Sequence, residues 1–193
     1  MVAAAGAGAS AGGRGARAGA ALDRAGDLLG TPYAPIVGTL AYVRHGERVL
    51  LVHRTFRSDD AHLGKYNGLG GKLEAGEDVV AGLRRELREE AGIEAVSLRL
   101  RGTINWPGFG PHGEDWLGFV FVVDAFAGEP PAANTEGTLH WVALADLPGL
   151  PMWEGDYTWL PLVFDESVGQ FHGVMPYRDG RPAGWSVSVL PAG

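Results

Sequence analysis

The chain contains no cysteine, which excludes disulfides, thiolate metal sites and cysteine nucleophiles and fits a reducing, cytoplasmic setting. It has no apolar run approaching the roughly 18–20 residues that cross a bilayer, so no membrane-spanning role is expected. Positive charge is in short supply: 16 Lys and Arg stand against 23 Asp and Glu, a net charge of −7. That balance argues against a dedicated double-stranded DNA binder, which normally shows a basic face. An acidic protein can still bind polyphosphate when divalent cations sit between the two. There is no internal repeat. The six histidines are scattered, with no two at metal-ligand spacing, and none is assigned to a site.

What remains is an ordinary globular composition, 46% hydrophobic and 20% charged over 193 residues, enough for one domain with a substantial core. Residues 1–30 read as a flexible Ala/Gly-rich extension and residues 31–193 as a single domain. The first 22 residues lack the compact apolar stretch of a signal peptide, and 21–30 could form a short amphipathic helix. From Pro35 the texture changes. Alternating apolar residues predict strands near 36–44 and 48–54 around a tight turn at His45-Gly46-Glu47. A loop with glycine at 64, 68, 70, 71 and 76 follows. Val79, Val80, Leu83 and Leu87 then fall on one helical stripe, with Glu77 and Asp78 at its positive end and Gly92 as a stop. Strands are expected at 95–106 and 116–124, a strand running into a turn from GTLHWVALADLP, a helix near 157–167 and a hairpin near 170–190. This mixture suggests an α/β sandwich around a mixed β-sheet.

The helix carries RELREEAG at 85–92. At 100° per residue, Glu86, Glu89 and Glu90 span about 100° of arc, beside Leu83 and Leu87 at the margin of the buried face. Arg84, Arg85 and Arg88 fall mostly on the other side. The i,i+4 pair Glu86 and Glu90 is like with like, which opposes helix formation unless a cation intervenes. The helix alone leaves two readings open, a solvated acidic face and a metal site. The preceding loop favours the second. Gly68, Gly70 and Gly71 permit sharp bends and close approach, so a backbone carbonyl can stand beside the acids. Hard oxygen donors of this kind suit Mg²⁺ or Mn²⁺.

Gly71, five residues, Glu77, seven residues and Arg85-Glu86-Leu87-Arg88-Glu89-Glu90-Ala91-Gly92-Ile93 match the Nudix box at every specified position, and the chain resembles the Nudix hydrolases. The resemblance implies an α/β/α sandwich and cleavage of a nucleoside diphosphate linked to another group. It implies Glu89 and Glu90 as principal metal ligands, with Glu86 a further ligand or the base that activates water. It further implies the Gly71 carbonyl as an additional ligand, Glu77 with Arg85 as a structural brace, and Mg²⁺ as cofactor, with Mn²⁺ a possible substitute. Outside the box, YNGLGGKLEAGE, MWEGDYTWLPLVF and FHGV are similar to MutT-type enzymes that destroy oxidised purine nucleoside triphosphates. That similarity implies base recognition by Asn67, stacking on Trp153, a hydrogen-bonding acid at Asp156 and a catalytic acid at Glu136. Lys72 joins the candidate substrate-binding residues. The acid expected before Asp156 is replaced by Gly155.

Plainer roles compete. Asn before Gly commonly serves a turn, Trp153 and Trp159 could be core aromatics, and Trp159 in particular reads as core. Glu136 could be a loop acid, and INWPGFG (104–110) could line a pocket or end a strand. The resulting expectation is a Mg²⁺-dependent hydrolase of a small nucleotide, without nucleic-acid or membrane partners, converting triphosphates such as 8-oxo-dGTP to monophosphate and pyrophosphate. Its rivals are an ADP-ribose or other diphosphate-linked pyrophosphatase, for which Pro107 is the one pointer, and a nucleotide-sensing module that does not hydrolyse.

Overall fold

The computed structural model describes residues 32–56 and 62–192. The extension and short helix read at 1–30 lie outside the described residues. From Pro35 onward the chain is one compact unit. Strands β1 (Ile36–His45) and β2 (Arg48–Arg54) form the first hairpin. They are followed by β3 (Tyr66–Asn67), helix α1 (Val79–Ala91), β4 (Glu94–Trp106), β5 (Trp116–Ala127) and β6 (Gly137–Ala143). A 3-10 turn at Leu144–Gly149 leads to α2 (Asp156–Phe164), then β7 (Val168–Val174), β8 (Tyr177–Arg178), β9 (Arg181–Pro182) and β10 (Ser186–Pro191). Eight strands form one sheet in the order β10-β7-β4-β5-β1-β2-β3, with β6 also on β2, while β8 and β9 form a separate ribbon. The β1–β5 and β4–β7 pairs are parallel and the others antiparallel, so the sheet is mixed.

The period of two along the central strands builds the layers. Ala41, Val43, Leu50, Val52, Phe121 and Val123 pack with Leu83 and Leu87 of α1. Their neighbours Tyr42, Val49, Leu51, Val120 and Val122 pack with Trp159, Leu160 and Val163 of α2. Successive strand side chains point to opposite faces, and each face acquires a helix, giving the α/β/α sandwich. Trp159 is 1% exposed and belongs to this core. No helix among the described residues is long and apolar enough to cross a membrane.

Two expectations shift at their edges. Helix α2 stops at Phe164, because Asp165 turns extended as its C-cap and its side chain accepts the Ser167 backbone N–H at 2.9 Å. The expected hairpin near 170–190 is the antiparallel pair β7 and β10, whose connection carries the small β8–β9 ribbon.

The first hairpin opens where the site lies. Strand β1 pairs with β2 only from Val43 to His45. Further back, Leu69 bridges to Ala41 and Lys72 to Gly38, so the glycine loop enters between the splayed strands. Thr39 N–H donates to the Gly71 carbonyl at 2.8 Å, and Leu73 N–H to Val37 at 3.0 Å. Gly70 has φ +136°, and a Cβ there would lie 2.3 Å from the Thr39 carbonyl oxygen. Only glycine suits both demands.

Candidate active site

Helix α1 starts where Asp78 caps it, its carboxylate accepting from Val80 and Ala81 N–H at 2.8 and 2.9 Å. It stops at Gly92, left-handed at φ 63°, whose N–H returns to Arg88 and Leu87 carbonyls. Both ends are thus defined by short-range chemistry, which fixes where the three glutamates stand. Arg85 departs from the placement its helical arc suggests. Its long side chain folds back over the acids, with Nε 2.8 Å from Glu77 Oε1, Nη2 3.0 Å from Glu77 Oε2, and Nη1 2.9 Å from Glu86 and 3.2 Å from Glu89. Nη2 also donates to the Lys72 carbonyl at 3.1 Å. The fork joins the glycine loop to the helix. The Arg85 hydrogen bonds, with the Glu74 backbone N–H, hold the Glu77 carboxyl down at about 2.

Glu86 and Glu90 press against the glycines from behind. A Cβ on Gly71 would lie 2.5 Å from Glu86 Oε1, so the absence of a side chain at 71 makes room for that carboxylate. Glu90 Oε2 accepts the Gly70 N–H at 2.8 Å. Burial pushes the Glu90 carboxyl up to about 8, opposed by that hydrogen bond and reinforced by the charges of Glu136 and Glu86. Glu136 approaches from the segment before β6. Its N–H donates to Asn134 Oδ1 at 2.9 Å, its carbonyl accepts from Thr55 and Phe56, and its carboxylate pairs with Arg54.

A cavity of about 390 Å³ opens beside this cluster. Its wall includes Asn67, Lys72, Trp153, Asp156, Gly71 and Glu136. The substrate-binding candidates from two separate segments, 67–72 and 153–156, therefore share one space with the Gly71 backbone and Glu136. Glu86, Glu89, Glu90, Glu77 and Arg85 are not in the cavity wall; of these, Glu86 lies against Gly71 and Glu90 against Gly70. Trp106 and Phe109, from the 104–110 stretch, also line the cavity. Phe109 meets Trp153 edge to face at 5.6 Å, and Lys65 Nζ stands 4.4 Å over the Trp153 ring. Lys72 Nζ stands 5.3 Å over Trp116. Burial pushes the Asp156 carboxyl up to about 7, against the opposing Trp153 backbone and Trp159 contacts.

His62, Arg54 and Tyr177 line the same cavity, though no sequence motif marks them. His62 Nδ1 receives the Trp153 indole N–H at 2.9 Å and lies 3.2 Å from Asn67 Nδ2. No spacing rule relates a lone histidine to a tryptophan so far along the chain. At Gly155, where an acid was expected, a Cβ would stand 2.4 Å from Met175 Sδ and 2.7 Å from the Tyr177 hydroxyl. A side chain there would have to displace Met175 or the Tyr177 hydroxyl. Pro107 gives its carbonyl to Tyr177 N–H at 2.7 Å and so serves the turn after β4.

The donor set is all oxygen: carboxylates at 86, 89, 90 and 136 beside glycine backbone, with like charges crowding Glu90. That chemistry fits a hard divalent cation. Among the described residues no group of three or more His, Asp or Glu is gathered into a finished ion site. Glu86 and Glu89 lean to Arg85, and Glu136 to Arg54. One acceptor direction of the Gly71 carbonyl is already taken by Thr39.

The NUDIX domain family matches residues 32–163. The chain is 31% identical over 142 residues to the oxidized purine nucleoside triphosphate hydrolase of Mus musculus, covering 73% of this chain and 86% of that protein. It is 36% identical over 113 residues to the NAD-capped RNA hydrolase NudC of Pseudomonas aeruginosa, covering 58% of this chain but only 37% of NudC. Among solved structures, a MutT protein from Bacillus halodurans superposes with a TM-score of 0.67 and 27% identity, covering 79% of this chain and 97% of that one.

Proposed function

Since the chain belongs to the Nudix hydrolase family, we propose that it hydrolyses purine nucleoside triphosphates to monophosphate and pyrophosphate. Oxidised forms such as 8-oxo-dGTP are the favoured substrates, and the role is to cleanse the cytoplasmic nucleotide pool. The observation that carries this reading is the single cavity joining Asn67, Trp153 and Asp156 to Gly71, Lys72 and Glu136. Its volume suits a small ligand, and it unites base-binding chemistry with phosphate chemistry. The similarity to the mouse enzyme supports the substrate class.

The roles follow from the placement. Trp153, braced by Phe109, offers a flat apolar face to a base. Asn67 and Asp156 offer amide and carboxyl groups to its polar edge, which is where a pocket discriminates most strongly. Lys72 supplies positive charge toward the phosphates. Glu86, Glu89 and Glu90, with the Gly71 carbonyl, would hold Mg²⁺ or Mn²⁺. Such an ion supplies charge neutralisation on the phosphates and acidifies a water. Among the acids, Glu86, Glu89 and Glu136 are candidates to take the proton as the water oxygen bonds to phosphorus and the bond to the leaving pyrophosphate oxygen breaks. Glu77 and Arg85 keep loop and helix in register. All the residues assigned these roles belong to the compact unit that begins at Pro35, which supports a single catalytic domain.

The partial similarity to NudC favours a second reading, hydrolysis of a diphosphate-linked dinucleotide or ADP-ribose. Steady-state rates on 8-oxo-dGTP, dGTP, other nucleoside triphosphates, NAD and ADP-ribose decide between them. Turnover of NAD or ADP-ribose without turnover of triphosphates would discard the triphosphate reading.

A further inference from the structure

Tyr177 is held unusually firmly for a residue of a two-residue strand. Its N–H donates to the Pro107 carbonyl at 2.7 Å. Its own carbonyl lies against Gly108, where φ is +73° and a Cβ would come within 2.9 Å of it. Its ring meets Phe109 edge to face at 4.9 Å, and it is only 7% exposed. Three contacts and burial therefore hold the residue, with its hydroxyl against Gly155 at the N-cap of α2.

Tyr177 lines the cavity together with Asp156, whose charge acts on its hydroxyl, and that oxygen stands 2.7 Å from where a Cβ on Gly155 would lie. Gly155 has an ordinary helical φ of −66°, so its backbone does not need glycine. The space that glycine leaves is taken by the Tyr177 hydroxyl, together with Met175. Among the described residues no hydrogen bond engages this hydroxyl, and it is not one of the fully buried unpartnered atoms, so it remains open to a ligand. Burial, then the charges of Asp156 and Glu154, push its ionisation well up, so it stays protonated and able to donate. A positioned, protonated and unengaged hydroxyl next to a carboxyl is a two-point reader for a ligand edge.

We infer that Tyr177 is a specificity-determining residue whose hydroxyl hydrogen-bonds an exocyclic oxygen or amine of the purine, while Asp156 takes the adjoining ring nitrogen. The inference rests on the proposed nucleotide function of the cavity. A hydroxyl both donates and accepts, so it serves a keto or an amino substituent, whereas a purine without one leaves it idle.

The test is Tyr177→Phe, which keeps the ring on Phe109 and deletes one oxygen. kcat and KM are measured for 8-oxo-dGTP, dGTP and the deoxynucleoside triphosphate of unsubstituted purine. One hydrogen bond of ordinary strength corresponds to about a 3- to 10-fold rise in KM, expected for both guanine nucleotides with little change in kcat. For unsubstituted purine the change should stay below about 2-fold. Gly155→Ala displaces the hydroxyl without removing a polar atom and should give the same selective loss, which covers the case of a poorly folding Phe variant. If the natural chain hydrolyses triphosphates but the Phe variant matches it, or loses equally on all three bases, the assignment of Tyr177 is wrong and the enzyme function stands. If the natural chain hydrolyses none of them, the function falls first and this inference with it.

Discussion

The Trp153 indole N–H donates to Nδ1 of His62 at 2.9 Å. An indole nitrogen can only donate, so Nδ1 carries its lone pair and the ring proton sits on Nε2. The Asn67 amide nitrogen lies 3.2 Å from the same Nδ1. One atom thus ties the aromatic face of the cavity to its amide, and His62 is a positioning residue for both. His62→Leu removes the tie and should raise KM for purine triphosphates about 5- to 10-fold, the range of one or two hydrogen bonds, with kcat within about 2-fold. His62→Asn places an oxygen near the Nδ1 position and should recover most of the loss. An Asn variant no better than Leu, or a loss carried by kcat, would refute this role.

The sequence makes plain whatever is set by short range. Asp78 and Gly92 bound α1 through contacts with residues two to five positions away, and the alternation along 41–43, 49–52 and 120–123 sorts the two faces of the sheet. Spacing alone therefore places Glu77, Arg85 and Glu86 on one helix-loop unit. What escapes is long-range. Arg85 reaches the acids by the length of its side chain, which an arc of Cα positions does not convey. His62 matters only because Trp153 folds onto it. Gly155 reads as a lost acid until Tyr177 and Met175 arrive over it, and nothing in the pattern of either segment announces that meeting.

Gly71→Ala tests the contact between loop and helix. The new Cβ would lie 2.5 Å from Glu86 Oε1 and 2.9 Å from Oε2, so the carboxylate must swing away. Displacement of a reacting group by about 1 Å costs about 100-fold in rate. kcat should fall by about that factor, while the melting temperature moves little because no core side chain is touched. A variant with normal kcat would show that Glu86 need not occupy this position.

Glu89 has 59% of its side chain exposed and, among the described residues, a single ion pair, to Arg85 at 3.2 Å. An exposed pair of this kind contributes at most about 1 kcal/mol to folding. Glu89→Gln should therefore leave stability nearly unchanged. If Glu89 helps to hold Mg²⁺, activity should fall by about 100-fold or more and the Mg²⁺ concentration for half-maximal rate should rise. Full activity with unchanged Mg²⁺ dependence would remove Glu89 from the metal-binding group.

Burial pushes the Asp156 carboxyl up to about 7, from about 3.9 in an unfolded chain. Between those values the folded protein holds a proton that the unfolded chain has released. Stability contributed at this residue therefore falls as pH rises from about 4 to 7, then levels off. Asp156→Asn, which never ionises, should escape that loss. Urea unfolding with chelator present should show little difference between the two proteins near pH 4. By pH 8 the Asn variant should be ahead by about 2–4 kcal/mol, at about 1.4 kcal/mol per pKa unit. A difference that does not vary with pH would contradict a buried, proton-holding Asp156.

Arg101 is 4% exposed and spends its guanidinium on backbone. Nε donates to the Val163 carbonyl at 2.8 Å, Nη2 to Asp165 at 2.8 Å and Leu162 at 3.3 Å, and Nη1 to Gly169 at 3.3 Å. Three of these carbonyls end α2, where the helix dipole favours a cation and the last-turn acceptors need partners. Arg101 thus anchors the far end of the helix whose first turn carries Asp156. Arg101→Met strands several buried carbonyls, each worth about 1–3 kcal/mol when unpaired. Partial relaxation leaves an expected loss of about 2–4 kcal/mol. At about 2–4 °C per kcal/mol for a chain of this size, the melting temperature should drop by roughly 5–15 °C. Arg101→Lys offers charge without the fork and should recover only part of the drop. A Met variant that melts with the natural protein would show that these carbonyls find other donors.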